Sequence, residues 1–287
     1  MQERIVLLGG FGQLGSLIQE TVPAKVKLFT FNSKDFDICN LAQHQSVYKD
    51  LAPTTIINAA AYTQVDNAES EQERAFKVNA QGPAMLAEAC PKDCRIIHFS
   101  TDFVFGGLQQ TAYKPEDVTA PASIYGASKL AGEETLMVLR PESTIIRTAW
   151  LYSAEGHNFV NTMLKLMAER DELSIVNDQF GTPTSARTLA EVVWRFVANR
   201  ELKGIYHWTD QGEASWYDFA VEIQRQALEL GLLSKKISLR AISTQEYPTP
   251  AQRPEFSVLD KTATYEAINF EGQKWQDELK KVLMLKL

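Results

Sequence analysis

The sequence is poor in cysteine, in net positive charge and in long apolar runs, and each shortage excludes a class of protein. Among its 287 residues only Cys39, Cys90 and Cys94 are cysteines. Three scattered thiols cannot form a disulfide framework, and they lack the second pair of ligands that a structural zinc site needs. We therefore expect no metal ligands among them and interpret all three as buried or idle thiols.

Charge and hydropathy exclude two further kinds of partner. The formal net charge is −7, whereas proteins that bind nucleic acid or anionic membranes usually present a basic face. No apolar run approaches the roughly 20 residues that a membrane span requires, and no charged-then-apolar leader precedes the first apolar stretch. These features predict a cytoplasmic protein without a nucleic-acid or membrane partner.

Short apolar stretches rich in β-branched residues alternate with longer helix-forming stretches in the first half of the chain. Such alternation is typical of a parallel sheet covered by helices on both faces. After about residue 150 the rhythm loosens, and proline, glycine and aromatic residues cluster. The pattern predicts an α/β protein with a Rossmann-like doubly wound sheet in residues 1–149. Residues 150–287 should form a smaller C-terminal α/β lobe that mainly binds substrate, with some later helices packing back on the first domain.

A glycine-rich stretch follows the first predicted strand directly. In RIVLLGGFGQLGSLI, Gly9, Gly12 and Gly15 recur at three-residue spacing where the first helix should begin. Gly9 suits a tight turn, Gly12 lets the backbone approach a pyrophosphate, and Gly15 lets the helix pack closely on the strand. The stretch therefore predicts a dinucleotide site. The other loop residues expected at the dinucleotide are Phe11, Gln13 and Leu14.

The end of the second predicted strand bears on which dinucleotide binds. A NAD-specific protein commonly has an acidic residue there for the ribose diol, but this chain continues LFTFNSKD, without an acid at the strand end. The hydroxyl of Ser33 and the ammonium of Lys34 are suited to a 2′-phosphate, which favours NADPH and leaves NADH possible. Thr30 lies at the strand end, and Asp37 and Ile38 are expected near the adenine.

Two further predicted strands end in NAAAYT and STDFVF. In a doubly wound sheet the carboxyl ends of the strands face the ligand crevice. Small alanine side chains there would let a flat cofactor lie against the backbone. The residues expected to line the crevice at these two ends are Ala59, Ala60, Ala61, Tyr62, Ser100, Thr101 and Asp102.

Tyr125 and Lys129 form a Tyr-x-x-x-Lys pair within SIYGASK. Positions i and i+4 share one face of a helix, so both side chains should point at the crevice. Lowering a tyrosine pKa from about 10 to about 7 takes roughly 4 kcal/mol. One positive charge at about 4 Å supplies roughly that much at an effective dielectric constant near 20. Lys129 alone is therefore expected to activate Tyr125.

Several motifs together identify a resemblance. Gly-x-x-Gly-x-x-Gly, NAAAYT, STD and YGASK resemble the extended short-chain dehydrogenase/reductase superfamily. Within that superfamily, further stretches spread over both halves of the chain closely resemble the dTDP-4-dehydrorhamnose reductase family. Those stretches are GQLG, AAYTQVDNAE, RTAWLYSAEGHNFVNTML, DQFGTPT, ASWYDFA and PAQRPEFSVLD.

The resemblance implies a reaction and its catalytic residues. It assigns the Thr-Tyr-Lys triad to Thr101, Tyr125 and Lys129, with NADPH delivering hydride to the C4 keto carbon of a dTDP-linked sugar. Tyr125 would donate a proton to the carbonyl oxygen, and Thr101 would hydrogen-bond that oxygen. Lys129 would lower the tyrosine pKa and hold the nicotinamide ribose.

The resemblance also implies substrate contacts. Trp150 would stack on thymine or cover the sugar, and Arg253 would offer its guanidinium fork to the diphosphate. Each also has an ordinary structural interpretation, as a core tryptophan and as a loop-capping arginine. The substrate positions implied by the family are Thr101, Asp102, Tyr125, Trp150, Asn158 and Arg253.

Two other functions remain open at this point. One is a nucleotide-sugar epimerase or dehydratase of the same superfamily, which uses the same triad with tightly held NAD. The other is a non-catalytic NADP-binding subunit, like the regulatory β subunit of methionine adenosyltransferase, which resembles this family. Some relatives form Mg-bridged dimers, so a homodimer with Mg at its interface is possible, although the sequence places no ligand.

Overall fold

A computed structural model describes residues 3–287. Its strands are β1 (Glu3–Leu8), β2 (Val26–Phe31), β3 (Thr55–Asn58), β4 (Arg95–Thr101), β5 (Thr144–Thr148), β6 (Leu151–Tyr152), β7 (Glu172–Val176), β8 (Phe180–Gly181), β9 (Thr184–Ser185), β10 (Gly204–His207), β11 (Ala214–Ser215) and β12 (Ser238–Ile242). Its helices are α1 (Gln13–Glu20), α2 (Leu41–Leu51), α3 (Val65–Ala68), α4 (Gln72–Phe76), α5 (Gly82–Ala89), α6 (Ile124–Leu139), α7 (Phe159–Glu169), α8 (Ala186–Ala198), α9 (Trp216–Glu229), α10 (Thr262–Ile268) and α11 (Trp275–Met284).

Six parallel strands form the main sheet, in the order β10-β5-β4-β3-β1-β2. The chain starts at β1, adds β2 on one side and then continues from β3 on the other side. The order therefore reverses between β1 and β3, and ligands bind at such a switch point in open α/β sheets. This topology confirms the predicted Rossmann-like doubly wound sheet. Within residues 3–287, β2 is the edge strand on its side of the sheet.

Helices cover both faces of this sheet, which explains why its strands are apolar on both sides. On one face, α1 and α8 pack together over a core that includes Ile5, Ile97 and Phe196. On the other, Tyr48 of α2, Leu86 of α5 and α6 cover a second core. All three cysteines are free thiols, and Cys90 and Cys94 are buried in this second core.

A smaller lobe is built from three short strand pairs and three helices. The pair β7 and β12 is parallel, and α7, α9 and α11 pack over a core that contains Met163, Phe219 and Leu279. The chain does not stay in this lobe after residue 150, because α8, β10 and α10 return to the main sheet. The division into residues 1–149 and 150–287 stays a prediction.

Two absences apply to residues 3–287. No helix in that range combines the length and the apolar character needed to cross a bilayer. In the same range no three histidine, cysteine, aspartate or glutamate side chains come together as metal ligands. The possibility of Mg at an oligomer interface therefore gains no support from the described residues.

Candidate active site

A cavity of about 370 Å³ opens where β1, β2 and β3 end. Most residues predicted to bind the dinucleotide line it: Gly9, Phe11, Gly12, Ser33, Asp37, Ile38, Ala59, Ala60 and Ala61. The lining is completed by residues that were not predicted as contacts, namely Leu8, Phe31, Asn32, Phe36 and Val78. The structure thus brings the glycine loop, the end of the second strand and the alanine run to one groove.

The loop between β1 and α1 requires glycine at its first turn. Gly9 has φ +75°, and a Cβ there would lie 2.6 Å from backbone atoms of both Ala59 and Ala60. Helix α1 begins immediately afterwards with Gly12 as its N-cap. A glycine cap has no side chain to occupy the first-turn N–H groups, so they can face a phosphate oxygen.

Six residues predicted at the dinucleotide do not line this groove, namely Gln13, Leu14, Thr30, Tyr62, Tyr125 and Lys129. Leu14 is 7% exposed and belongs to the core under α8. The methyl group of Thr30 packs beside the loop, and Tyr62 donates its backbone N–H to Asn79 Oδ1 (2.8 Å). Gln13 directs its side chain toward the small lobe. Their contacts with a cofactor remain predictions.

The end of β2 is shaped by a turn that Asn32 stabilises. Asn32 Oδ1 accepts hydrogen bonds from the backbone N–H groups of Lys34 (2.7 Å) and Asp35 (3.2 Å). Short polar side chains commonly hold such turns by bonding the backbone two or three residues on. The turn leaves Ser33 and Lys34 exposed at the end of the groove.

The predicted triad comes together where β4 meets α6. Ser123 caps α6, its Oγ accepting from the Gly126 N–H (3.2 Å). A Cβ at Gly126 would lie 2.2 Å from the carbonyl oxygen of Phe103, so glycine allows α6 to approach the end of β4. Tyr125 consequently lies beside Thr101, with the Phe103 ring packed edge-on at 5.6 Å.

The protonation of the triad differs from the expectation. Removal of water by the surrounding protein raises the pKa of Tyr125 to about 12, although the neighbouring Thr101 hydroxyl acts to lower it. Lys129 does not offset this effect, and its Nζ donates to the Phe99 carbonyl oxygen at 2.6 Å. Burial lowers the pKa of Lys129 itself to about 8. The expectation that Lys129 alone brings the tyrosine pKa near 7 is therefore wrong for this arrangement.

Asp102 is a buried carboxyl group behind Thr101. It is 2% exposed, and Thr101 Oγ1 donates to its Oδ1 at 2.9 Å. Burial raises the pKa of Asp102 to about 6, although the Thr101 hydroxyl and the nearby Ser257 hydroxyl act to lower it. Within residues 3–287 its Oδ2 has no hydrogen-bond partner. Asp102 therefore orients the Thr101 hydroxyl and retains one acceptor for a further donor.

A second cavity, of about 750 Å³, lies in the small lobe between α7, β7, β12 and the loop after residue 246. Arg253, which the family resemblance assigns to the diphosphate, lies in its lining. The guanidinium donates to both carboxylate oxygens of Asp66, at 3.1 and 2.9 Å, and to Thr249 Oγ1 at 2.6 Å. Since Asp66 lies on α3, this ion pair connects the small lobe to the main one.

Trp150 and Asn158 have partners that the sequence did not predict. Trp150 stacks on Trp216, with ring centroids 3.5 Å apart and planes 6° from parallel. Trp216 lines the large cavity, so the stack forms part of its wall. Asn158 caps α7 and donates from Nδ2 to Gln13 Oε1 at 2.9 Å. Neither Trp150 nor Asn158 itself lines the cavity, and their substrate contacts remain predictions.

Sequence reasoning missed Asp66 and Trp216, although a signal for both was present. Asp66 lies in AAYTQVDNAE and Trp216 in ASWYDFA, two of the stretches that carry the resemblance. Each acts through a partner distant in the chain, Arg253 and Trp150. A motif found in one segment does not reveal such a pairing.

Comparisons with known proteins agree with this geometry. The family model described as RmlD substrate binding domain matches residues 3–286. The chain is 38% identical over 287 residues to dTDP-4-dehydrorhamnose reductase of Aggregatibacter actinomycetemcomitans, covering 97% of this chain and 98% of the relative. The crystal structure of a dTDP-4-dehydrorhamnose reductase from Clostridium acetobutylicum matches with a TM-score of 0.93 at 38% identity, covering 99% of this chain and 100% of that one. The enzyme of the same name from Bacillus anthracis, in complex with NADP, matches with a TM-score of 0.94 at 35% identity and the same coverage.

Proposed function

Because this chain belongs to the dTDP-4-dehydrorhamnose reductase family, we infer that it is an NADP-dependent oxidoreductase that reduces dTDP-4-dehydrorhamnose. The C4 keto group becomes a hydroxyl, and the product is dTDP-L-rhamnose. The observation that carries this function is the meeting of Thr101, Tyr125 and Lys129 at the end of β4. A proton donor at the same edge of the sheet as the nucleotide groove is what carbonyl reduction needs.

The raised pKa of Tyr125 suits reduction rather than oxidation. A phenol with a pKa of about 12 keeps its proton at neutral pH, so it can donate when charge develops on the carbonyl oxygen. The alkoxide that forms is more basic than the phenolate, and proton transfer is therefore downhill. The neighbouring Thr101 hydroxyl acts to lower the pKa of Tyr125 and so favours release of the proton.

The groove fits NADPH, which when bound would supply the hydride for C4. Its glycine loop suits the pyrophosphate, and the exposed Ser33 and Lys34 suit a 2′-phosphate. No carboxylate stands at the end of β2, where it would repel that phosphate. We therefore propose a preference for NADPH over NADH.

The large cavity is proposed to hold the dTDP portion of the substrate. Arg253 would hold the diphosphate with its planar fork, the geometry in which arginine binds phosphate best. Doing so requires Asp66 to share or release the guanidinium. Asp102 and the Trp150–Trp216 stack would contact the sugar side. We further propose a cytoplasmic location and a homodimer. Size-exclusion chromatography with light scattering would test the homodimer.

The first experiment generates dTDP-4-dehydrorhamnose from dTDP-glucose with a dehydratase and a 3,5-epimerase. The purified protein is added with NADPH or NADH, absorbance at the reduced-nicotinamide band is followed, and the sugar product is identified by NMR. Stoichiometric NADPH oxidation with dTDP-L-rhamnose as product is expected. Turnover without net oxidation would point to an epimerase or dehydratase. Cofactor binding without any turnover would favour a binding subunit.

A further inference from the structure

His98 is a fully buried histidine next to the triad that the proposed reaction does not use. It lies on β4 and is 1% exposed. Its ring touches polar side chains at both ends: Nδ1 is 3.0 Å from Asn58 Nδ2, and Nε2 is 3.5 Å from Lys129 Nζ. A histidine between two nitrogen groups poses a question about which ring nitrogen carries the proton.

The Asn58 amide, on the Nδ1 side of the ring, determines which ring nitrogen of His98 carries the hydrogen. Asn58 Oδ1 accepts from the backbone N–H of Ala60 at 3.1 Å, so this end of the amide is the oxygen. The other end is then the NH₂ group, which donates to His98 Nδ1. Flipping the amide would leave the Ala60 N–H facing a donor, which is unfavourable in a buried place. A neutral imidazole whose Nδ1 accepts must carry its hydrogen on Nε2.

That hydrogen points at Lys129. An ammonium group has three donors and no acceptor, so a charged Lys129 would meet the Nε2–H donor to donor. An uncharged amine has a lone pair that accepts the same hydrogen. Lys129 has only one oxygen acceptor within hydrogen-bond reach in the described structure, the Phe99 carbonyl. The long separation of 3.5 Å between Lys129 and His98 fits two groups that do not attract while the amine is charged.

We propose that His98 is a positioning residue whose Nε2–H, fixed by Asn58, faces Lys129 and favours its uncharged amine over its ammonium. The ammonium thereby becomes a readier proton donor. This inference rests on the proposed function only for its consequence. After Tyr125 has given its proton to the sugar, a proton released by the Lys129 ammonium can restore the phenol, and the amine regains one from solvent.

Three titratable groups lie around Lys129, namely Glu133, Tyr125 and His98. Glu133, one turn further along α6, favours the ammonium, but it is already paired with Arg147 of β5 at 2.7 Å, both side chains being buried. Tyr125 lies one turn earlier on α6, and its raised pKa keeps it neutral. Burial keeps the pKa of His98 well below its ordinary value, with the Lys129 charge acting in the same direction. His98 thus stays neutral and remains a hydrogen-bond donor to Lys129.

NMR of the folded protein tests both steps. With ¹⁵N-labelled histidine, we expect His98 to show a protonated Nε2 and an unprotonated Nδ1 between pH 6 and pH 9. With ¹³Cε-labelled lysine, Lys129 is assigned from its absence in Lys129→Met, and it should titrate near pH 8. In His98→Asn its midpoint should rise by about one pH unit, a tenfold change in the protonation equilibrium.

His44→Asn is the matched control, because His44 is equally buried but lies on α2, where it bonds to Tyr48 and to the Ile38 carbonyl. It should leave the Lys129 midpoint where it is in the unaltered protein. A protonated Nδ1 on His98, or a Lys129 midpoint that His98→Asn does not move, would overturn the proposal. With the ketosugar, the alkaline limb of kcat should move upward with the Lys129 midpoint while the NADPH KM stays constant. A protein that shows the NMR shifts but no turnover would lose the proposed function and keep this role for His98.

Discussion

The end of β4 and the large cavity of the small lobe hold their polar groups in different ways. Thr101 and Lys129 are 6% and 3% exposed. Thr101 accepts from the backbone N–H of Phe103, just after β4, and Lys129 donates to the Phe99 carbonyl. Arg253 keeps 23% of its side chain exposed and is held by the side chain of Asp66, itself 37% exposed. The first region is fixed by the fold, whereas the second is held by an ion pair that a ligand can replace.

This difference assigns separate tasks to the two regions. Buried groups locked by backbone contacts do not reorganise during a reaction, which is the condition for stabilising developing charge efficiently. A half-exposed ion pair costs little to rearrange, and it can open for a diphosphate. Variants in the first region should therefore change turnover or folding, and variants in the second should change substrate affinity.

The largest effect is expected from Tyr125→Phe. The change removes the phenolic proton and keeps the ring that packs on Phe103, so turnover should fall about 10³-fold, within the range for a general acid. NADPH binding, measured by fluorescence titration, should stay within about twofold. Unimpaired turnover would mean that Tyr125 is not the proton donor, and the end of β4 could not then be assigned the catalytic task.

Glu133→Gln tests how far the fold depends on the buried region. Glu133 and Arg147 are 2% and 3% exposed and pair at 2.7 Å, so the change leaves a buried guanidinium without its counter-charge. The free energy of unfolding in urea should fall by about 3 kcal/mol. Glu229→Gln, which removes an exposed partner of Arg225, is the control and should cost less than about 0.5 kcal/mol. Equal losses in both variants would contradict the contrast between buried and exposed pairs.

Arg253→Lys tests the exchangeable region. Lysine keeps the charge but loses the planar fork, so kcat/KM for the sugar should fall about tenfold to fiftyfold, mainly through KM. The KM for NADPH should not change. Arg240→Lys is the matched control, since Arg240 lines the same cavity but is 60% exposed and pairs with Glu246. A fall in kcat at constant KM would place Arg253 with the catalytic groups instead.

The sequence was sufficient for the region that the fold fixes. Strand ends, the glycine loop and i,i+4 spacing are local patterns, and they placed Thr101, Tyr125 and Lys129 near one another before any coordinates. Local patterns do not give the direction of a side chain. Lys129 turns to the Phe99 carbonyl and His98 rather than toward the phenol, and burial raises the pKa of Tyr125 where a lowering was expected.

The small lobe was less predictable, because its contacts join distant segments. Arg253 was expected to bind a diphosphate, but in this structure its guanidinium pairs with Asp66. Trp150 was expected to cover the substrate, but it stacks on Trp216. In each case the residue type was informative, whereas the partner depends on tertiary packing that no single stretch encodes. His98 escaped notice because a histidine within a buried strand ordinarily belongs to the core.

The smallest effect is expected from Lys34→Ala, at the end of the cofactor groove. The turn that Asn32 stabilises leaves Lys34 exposed, and an exposed charge contributes at most about 1 kcal/mol to an ion pair. The KM for NADPH should therefore rise no more than about fivefold, and less at high salt because the pair is screened. NADH lacks the 2′-phosphate and is the internal control, so its KM should not move. A parallel rise for both cofactors would mean that Lys34 supports the turn and not the phosphate. The preference for NADPH over NADH would then depend on the backbone shape of the groove and not on the exposed charge of Lys34.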